Sequence, residues 1–252
     1  MKNELKLFFT ALMFYSRIPV PGGIDHSAEA LNKATRYFPL VGIIVGGISA
    51  LVFWLAQFVF PVSIAVILSM ISSVIITGAF HEDGFADVCD GLGGGYTIEQ
   101  KLNIMKDSRV GTYGLLGLIF LIGLKYFLLV ELSFNLIFIL ISVHALSRLS
   151  PVFLVFFMEY VRTDELSKIR PIGKRIKPFE LLIAVIFSIA PLYFLSYWGF
   201  VLIIPLIVIS ILSAWFFKRH LGGYTGDCLG AAQQIAEIVL YTSYLLLWNY
   251  VL

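Results

Sequence analysis

Charge is what this sequence has least of. Of its 252 residues only 13% are charged and 59% are hydrophobic, and the mean hydropathy is +0.92. Soluble domains carry roughly 25% charged residues, so the chain reads as an integral membrane protein. Between positions 37 and 80 there is no Asp, Glu, Lys or Arg at all. Cysteine is nearly absent too. Cys89 and Cys228 form no CxxC pair and each adjoins an aspartate, which argues against a disulfide framework and leaves no thiolate metal pair. A net charge of +2 gives no reason to expect nucleic acid as a partner. The stretch 5–15 is apolar but too short to span, and "SRIPVPGG" follows where a cleaved leader has small residues. An interfacial or re-entrant helix is expected there, with a shortened first span as the alternative.

A helical crossing needs about 20 apolar residues. Cut at their turn residues, the uncharged runs give spans at 39–60, 62–80, 113–130, 134–158, two within 181–217 that part near Ser196–Gly199, and one at 229–252. Seven crossings are expected. Cytoplasmic loops are enriched in Lys and Arg. With the N-terminus inside, all 18 basic residues except Lys125 and Arg148 fall in the inner segments 2–36, 101–109, 162–177 and 218–219. The expectation is an all-α polytopic membrane bundle, a single integral membrane domain over 1–252, with a cytoplasmic N-terminus and an outer C-terminus.

Against the longest uncharged run lies "AFHEDGFADVCDGLGGGYT", residues 79–97, with His81, Glu82, Asp83, Asp87 and Asp90. On a helix Asp83, Asp87 and Asp90 stand at i, i+4 and i+7, in one stripe. Like charges so spaced raise one another's pKa unless a cation lies between them. Carboxylate oxygens suit Mg²⁺ or Mn²⁺, and Mg²⁺ is usually held by one or two carboxylates plus phosphate oxygens. The plainer reading is a solvated acidic loop. Gly91, Gly93, Gly94 and Gly95 read as a loop whose amides approach an anion, a phosphate seat, with a flexible turn as the competing reading.

Two further inner stretches point the same way. "KDSRVGTYG", 106–114, supplies Lys106, Ser108 and Arg109, the last suited to bidentate phosphate contacts. Positive-inside anchoring accounts for its charges but not for its glycines. "RHLGGYTGDCLGA", 219–231, places Thr225, Gly226 and Asp227 at a helix start, where anions are attracted and Asp227 serves as a cap or a metal ligand. Within the spans, Arg148 and Glu237 must face the bundle interior or a wet cavity, either paired with each other or touching substrate. Gln233 shares the face of Glu237, His144 precedes Arg148 by one turn, and Lys125 reads as reaching for the interface. Together these features describe transfer of a phosphorus-containing group from a diphosphate donor. They name neither the alcohol nor the nucleotide.

The stretch "FHEDGFADVCDGLGGG" closely resembles the signature of cobalamin synthase, the adenosylcobinamide-GDP ribazoletransferase family. "SRIPVP", "KDSRVGTYG" and "LGGYTGDCLGA" match in the family's order, so the resemblance runs over nearly the whole chain. It implies an Mg²⁺-dependent enzyme at the cytoplasmic face of the bacterial inner membrane. That enzyme joins adenosylcobinamide-GDP to α-ribazole, or to its 5′-phosphate, giving adenosylcobalamin or its phosphate and releasing GMP. The implied metal ligands are Asp83, Asp87, Asp90 and Glu82, and the implied catalytic residues are Asp83, Asp87, Asp227 and Arg109. Substrate contacts then fall to Lys106, Ser108, Gly93, Gly94, Thr225, Gly226, Arg148 and Glu237. Glu82 and Cys89 depart from the family's usual residues and weigh less.

Two other readings compete. A CDP-alcohol phosphotransferase also uses clustered aspartates, but its pattern continues after Asp-Gly with two residues and Ala-Arg, whereas Asp83-Gly84-Phe85-Ala86 leads into Asp87. A secondary transporter with Arg148 and Glu237 on its route would show internal repeats, and apart from a doubled "GGYT" none is found. Membrane lipid and a second copy of the chain are further expected partners. The basic segment 162–177 reads as topogenic charge, with docking of other cobalamin-pathway enzymes as the second reading.

Overall fold

In hydrocarbon only helices and closed barrels satisfy the backbone internally. The computed structural model describes residues 2–25, 27–162, 176–195 and 197–250; the basic residues between 163 and 175, Ser196 and the end of the last expected span lie outside them. Among the described residues there are twelve α-helices and no strands. They are α1 (Lys2–Tyr15), α2 (Ala28–Ala34), α3 (Phe38–Ala56), α4 (Val62–Thr77), α5 (Phe80–Gly94) and α6 (Ile98–Ile104), followed by α7 (Thr112–Glu131), α8 (Leu136–Ser147), α9 (Leu149–Phe157), α10 (Pro178–Ile189), α11 (Ile203–Leu221) and α12 (Gly226–Tyr250).

Among the described residues, five helical stretches are long and apolar enough to cross a membrane: Ala28–Ala56, Thr112–Glu131, Ser133–Phe157, Pro178–Leu195 and Tyr197–Leu221. A sixth is reached if α4 and α5 count as one bent span. Seven were expected, and the difference has two causes. The span expected at 62–80 stops at Thr77, because Gly78 (φ 68°) and Ala79 (φ 59°) are both left-handed and swing α5 by 87° from α4. α5 then carries Glu82, Asp83, Asp87 and Asp90 in 15 residues, a load that keeps it out of hydrocarbon. The last expected span falls on α12, which at 25 residues is long enough. Its Gln233, Gln234 and Glu237 lower its hydropathy, and all three are buried in the protein.

The Ser133–Phe157 stretch buries 78% of its apolar window and forms the centre; Thr112–Glu131 and Tyr197–Leu221 bury 22% and 28% and lie at the periphery. α3 packs tightly on α8 through Gly42 and Gly46, spaced as a GxxxG seam; a Cβ at Gly46 would stand 2.6 Å from the Leu140 carbonyl. α1, with 14 residues, is about 21 Å long at 1.5 Å per residue, short of a bilayer core of about 30 Å. It packs on α2 and α3, and the strand-like segment after it is tied to α4 by Arg17 N–H donating to the Ile76 carbonyl at 2.7 Å.

Candidate active site

The acidic motif is helical, as its spacing requires, and α5 distributes its ionisable groups over different neighbours. Asp83 is exposed and Asp87 half-buried. Asp90 is buried and accepts the backbone N–H groups of Gly111 (2.7 Å) and Gly114 (2.8 Å), one on each oxygen. It therefore caps the start of α7. The glycines of "RVGTYG" are explained by this contact, since a Cβ on either would run into the Asp90 carboxylate. Glu82, one residue before Asp83 and so about 100° around the helix, accepts from Gln234 Nε2 at 3.0 Å. Asp90 and Glu82 thus do not join Asp83 and Asp87 at one centre. Among the described residues no three His, Cys, Asp or Glu side chains converge as a ready-made metal cage.

What does come to Asp83 and Asp87 is Asp227. α5 and α12 cross closely because Gly84 and Gly230 carry no side chain; a Cβ on Gly84 would lie 2.9 Å from the Asp227 carbonyl oxygen, and one on Gly230 3.0 Å from that of His81. Burial and then repulsion from Asp227, Asp83 and Asp90 push the Asp87 carboxyl up to about 7, against the pull of Arg162. Burial also raises the Asp227 carboxyl, although Arg162 and the Thr225 hydroxyl draw it down. Arg162 Nη2 donates to Asp227 Oδ2 at 2.7 Å and to the Met105 carbonyl at 3.3 Å. The arginine is held there by a short bridge in which Tyr224 N–H donates to the Glu159 carbonyl (3.0 Å) and Val161 N–H to the Tyr224 carbonyl (3.1 Å). Sequence reasoning read Arg162 as a topogenic charge, with docking of pathway enzymes as the second reading, and not as a site residue. No motif surrounds it, so its partner 65 residues away was invisible.

Thr225 is fully buried; its hydroxyl accepts Cys228 N–H at 3.4 Å and donates to Asp227 Oδ2 at 3.3 Å, a capping arrangement for α12. The expected glycine loop is not a loop. Gly93 and Gly94 form the last turn of α5, with Gly95 its C-cap. Gly93 faces the Tyr113 ring, and a Cβ on Gly94 would stand 3.3 Å from Ile104, so these glycines admit neighbouring side chains. Lys106, Ser108 and Arg109 lie in the exposed connection between α6 and α7. Arg109 pairs with Asp107, Nη2 to Oδ2 at 2.6 Å, with its side chain 88% exposed. That pairing holds the Asp107 carboxyl down at about 2.

Arg148 and Glu237 are buried in the bundle but are not each other's partner. Arg148 donates to the His144 carbonyl at 2.6 Å and stands over the Phe38 ring. Glu237 pairs with Lys125 at 3.3 Å and accepts from Gln233 (2.7 Å) and Tyr241 (3.3 Å). Lys125 was expected to reach for the interface; instead it is buried and also donates to Gln234 at 2.7 Å. A charge inside a bundle is tolerable only with such partners, and Glu237 supplies one from 11 residues beyond the start of α12. Through Gln234 this network touches Glu82 and so braces α5 from behind.

Asp83, Gly226 and Asp227 stand at one end of a cavity of ≈ 120 Å³. Its other walls include Tyr15, Phe38, Phe80, His81, Val152 and Leu229. Asp83 and Asp227 on the wall of this cavity, with Asp87 and Arg162 beside them, can bind a cation with an anionic substrate and accept a proton from a hydroxyl.

The family described as cobalamin-5-phosphate synthase matches residues 7–245. An adenosylcobinamide-GDP ribazoletransferase of Shewanella frigidimarina (strain NCIMB 400) is 49% identical over 244 residues, covering 95% of this chain and 94% of its own. The protein of the same name from Shewanella amazonensis (strain ATCC BAA-1098 / SB2B) is 48% identical over 254 residues, 98% of each chain. No solved structure matches.

Proposed function

Because the chain belongs to the cobalamin-5-phosphate synthase family, we propose that it is an adenosylcobinamide-GDP ribazoletransferase, joining adenosylcobinamide-GDP to α-ribazole, or its 5′-phosphate, with release of GMP. The observation that carries this reading to particular residues is the meeting of Asp83, Asp87 and Asp227 with Arg162, beside a cavity that Asp83 and Asp227 line. Neither the lipid head-group enzyme nor the transporter is favoured by the relatives' names.

The residues present fit Mg²⁺. Asp87 is crowded by like charge, with Arg162 opposing it, and Mg²⁺ needs only one or two carboxylates when substrate phosphates complete its shell. Asp83 and Asp87, one turn apart on α5, would hold it. Bound there, the ion neutralises the diphosphate and its developing charge. Asp227 is the carboxylate that receives the proton of the attacking ribose hydroxyl, one that is free in both α-ribazole and its 5′-phosphate, its affinity for a proton raised by burial. As that oxygen bonds to the phosphorus next to the cobinamide, the bond to the GMP oxygen breaks and GMP leaves with the electron pair. Arg162 steadies Asp227 and offers its remaining N–H groups to the phosphoryl oxygens. Gly226 brings the N-terminal N–H groups of a 25-residue helix to the same place. Lys106, Ser108 and Arg109, on the exposed connection, meet the nucleotide end of the donor.

The finer topology belongs to the same reading. A cytoplasmic N-terminus and a site on the cytoplasmic side of a bacterial inner membrane are part of this proposal, the sidedness supported by the basic residues of the motif segments. α12 acts as the seventh crossing, shielded from lipid by its neighbours, and the exposed apolar faces of α7 and α11 meet lipid. The test is an assay of the detergent-purified chain with adenosylcobinamide-GDP and α-ribazole, following GMP and corrinoid product together. Stoichiometric appearance of both, only with Mg²⁺, supports the proposal; CMP release from a CDP-alcohol instead would replace it.

A further inference from the structure

His81 belongs to the acidic motif, yet neither a metal ligand nor a cap has been made of it. Its side chain is 2% exposed and its Nε2 has no hydrogen-bond partner among the described residues. The ring is fixed by Phe38, stacked at 5.6 Å and 12°, and by the edge contact with Phe80 at 5.5 Å. Its own backbone is clamped against Gly230 of α12. Leaving a buried polar group without a partner is unfavourable, so a rigidly held imidazole in that setting points to a ligand that accepts its N–H. It lines the cavity whose mouth carries Asp83 and Asp227.

The walls decide what that ligand is. Phe38, Phe80, Val152 and Leu229 are apolar, and the Tyr15 and Thr35 hydroxyls are already paired with each other at 3.4 Å. Guanine carries donors and acceptors around its rim, and most would be stranded against such walls. The benzimidazole of a ribazole is a flat apolar bicycle with one free ring nitrogen. A cavity of about 150 Å³ takes up benzene, so ≈ 120 Å³ encloses at most one ring of a fused bicycle and excludes a corrinoid macrocycle.

We propose that this cavity receives the nitrogen-bearing ring of the nucleoside acceptor's heteroaromatic base, with His81 Nε2–H donating to its free ring nitrogen and the ribose directed towards Asp227. The assignment rests on the transferase reading above and adds the specificity subsite. The corrinoid and the GDP then lie outside the cavity, on the open side of Asp83 and Asp87.

The test uses the full chain in detergent, with α-ribazole and an indole riboside in which the ring nitrogen is replaced by CH. Loss of one neutral hydrogen bond predicts about a 2- to 12-fold effect, from about 0.5–1.5 kcal/mol. The wild type should prefer α-ribazole over the indole riboside by about that factor in kcat/KM. His81→Phe should lose the preference and raise KM for α-ribazole alone, leaving KM for adenosylcobinamide-GDP unchanged. His81→Gln, which returns an N–H near the same place, should recover part of the preference. A rise in KM for the donor instead would give the cavity to guanine and overturn the proposal. Equal handling of the two ribosides by the wild type overturns it without any variant. Calorimetric binding of α-ribazole separates the two levels of inference: His81-dependent binding without turnover sinks the transferase reading alone, and His81-independent binding sinks the subsite.

Discussion

Arg162 Nη2 lies 2.7 Å from Asp227 Oδ2, with both side chains largely buried, at 13% and 19% exposure. The pair joins the segment after α9 to the first turn of α12 and brings a guanidinium to three carboxylates that otherwise repel. Removing the arginine leaves Asp227 and Asp87 without that opposing charge. Arg162→Ala should therefore lower kcat/KM by about 10²-fold or more, the usual effect of deleting a preorganised electrostatic contact. Arg162→Lys should recover only part, lacking the bidentate fork. Adding Asp227→Asn to Arg162→Ala should cost much less than the two single losses summed, because the groups act as a unit. Steady-state kinetics of these three variants and of Asp227→Asn alone checks this, and full additivity contradicts it.

The capping of α7 by Asp90 predicts a stability effect separable from catalysis. Gly114→Ala places a methyl in contact with the Asp90 carboxylate and 3.0 Å from the Ala86 carbonyl, an overpacking worth about 1–3 kcal/mol. Asp90→Ala should cost a similar amount, about 0.5–2 kcal/mol for the lost cap and more for the stranded N–H groups. Thermal unfolding in detergent measures both. Asp90→Asn should keep the Mg²⁺ dependence of turnover unchanged; a marked loss of Mg²⁺ affinity would return Asp90 to the metal site.

Lys125 and Glu237 make a buried pair, with side chains 11% and 2% exposed. Breaking such a pair from one side strands a charge and costs about 3–5 kcal/mol, whereas replacing both partners is often nearly neutral. Lys125→Met alone should give poor yield and a lowered Tm. Lys125→Met with Glu237→Gln should restore folding and most of the activity. An inactive but stable double variant would give the network a role in chemistry.

How much of this was readable beforehand follows the range of the interactions. The helix through the acidic motif, and the one-turn spacing of Asp83 and Asp87, are local properties, and the apolar runs marked four of the five candidate spans to within a few residues, the other beginning 11 residues earlier than expected, at Ala28. Which carboxylate faces which neighbour was not local. Asp90 finds its partners 21 and 24 residues away, and Lys125 finds Gln234 at a separation of 109. Gly93 and Gly94 were misread for the same reason, since a glycine that admits a distant ring looks in sequence like one that loosens a loop. α12 shows the limit of hydropathy as a guide. A helix sheathed by other helices tolerates Gln233, Gln234 and Glu237, which the bilayer would not.

The Asp87 carboxyl, raised to about 7 mainly by burial, makes the metal-free protein sensitive to pH. An unfolded aspartate titrates near 4. Between that value and about 7 the folded group keeps a proton that the unfolded one has lost, so stability should fall as pH rises through this window and level off above it. Asp87→Asn should flatten that slope. Unfolding temperatures in EDTA from pH 4.5 to 8 measure it, and an identical slope in the variant removes Asp87 as its cause.

The most direct measurement is the turnover of Asp83→Asn and Asp87→Asn beside the wild type across a Mg²⁺ titration, with adenosylcobinamide-GDP and α-ribazole, following GMP and corrinoid product together. The wild type should release both in equal amounts and only with the metal. Each asparagine variant should unfold at a temperature no lower than the wild type's yet lose about 10²-fold or more in kcat/KM, with a weaker Mg²⁺ dependence. Near-normal turnover by either variant at the same Mg²⁺ concentration would contradict the assignment of the α5 carboxylates to the metal and the donor diphosphate.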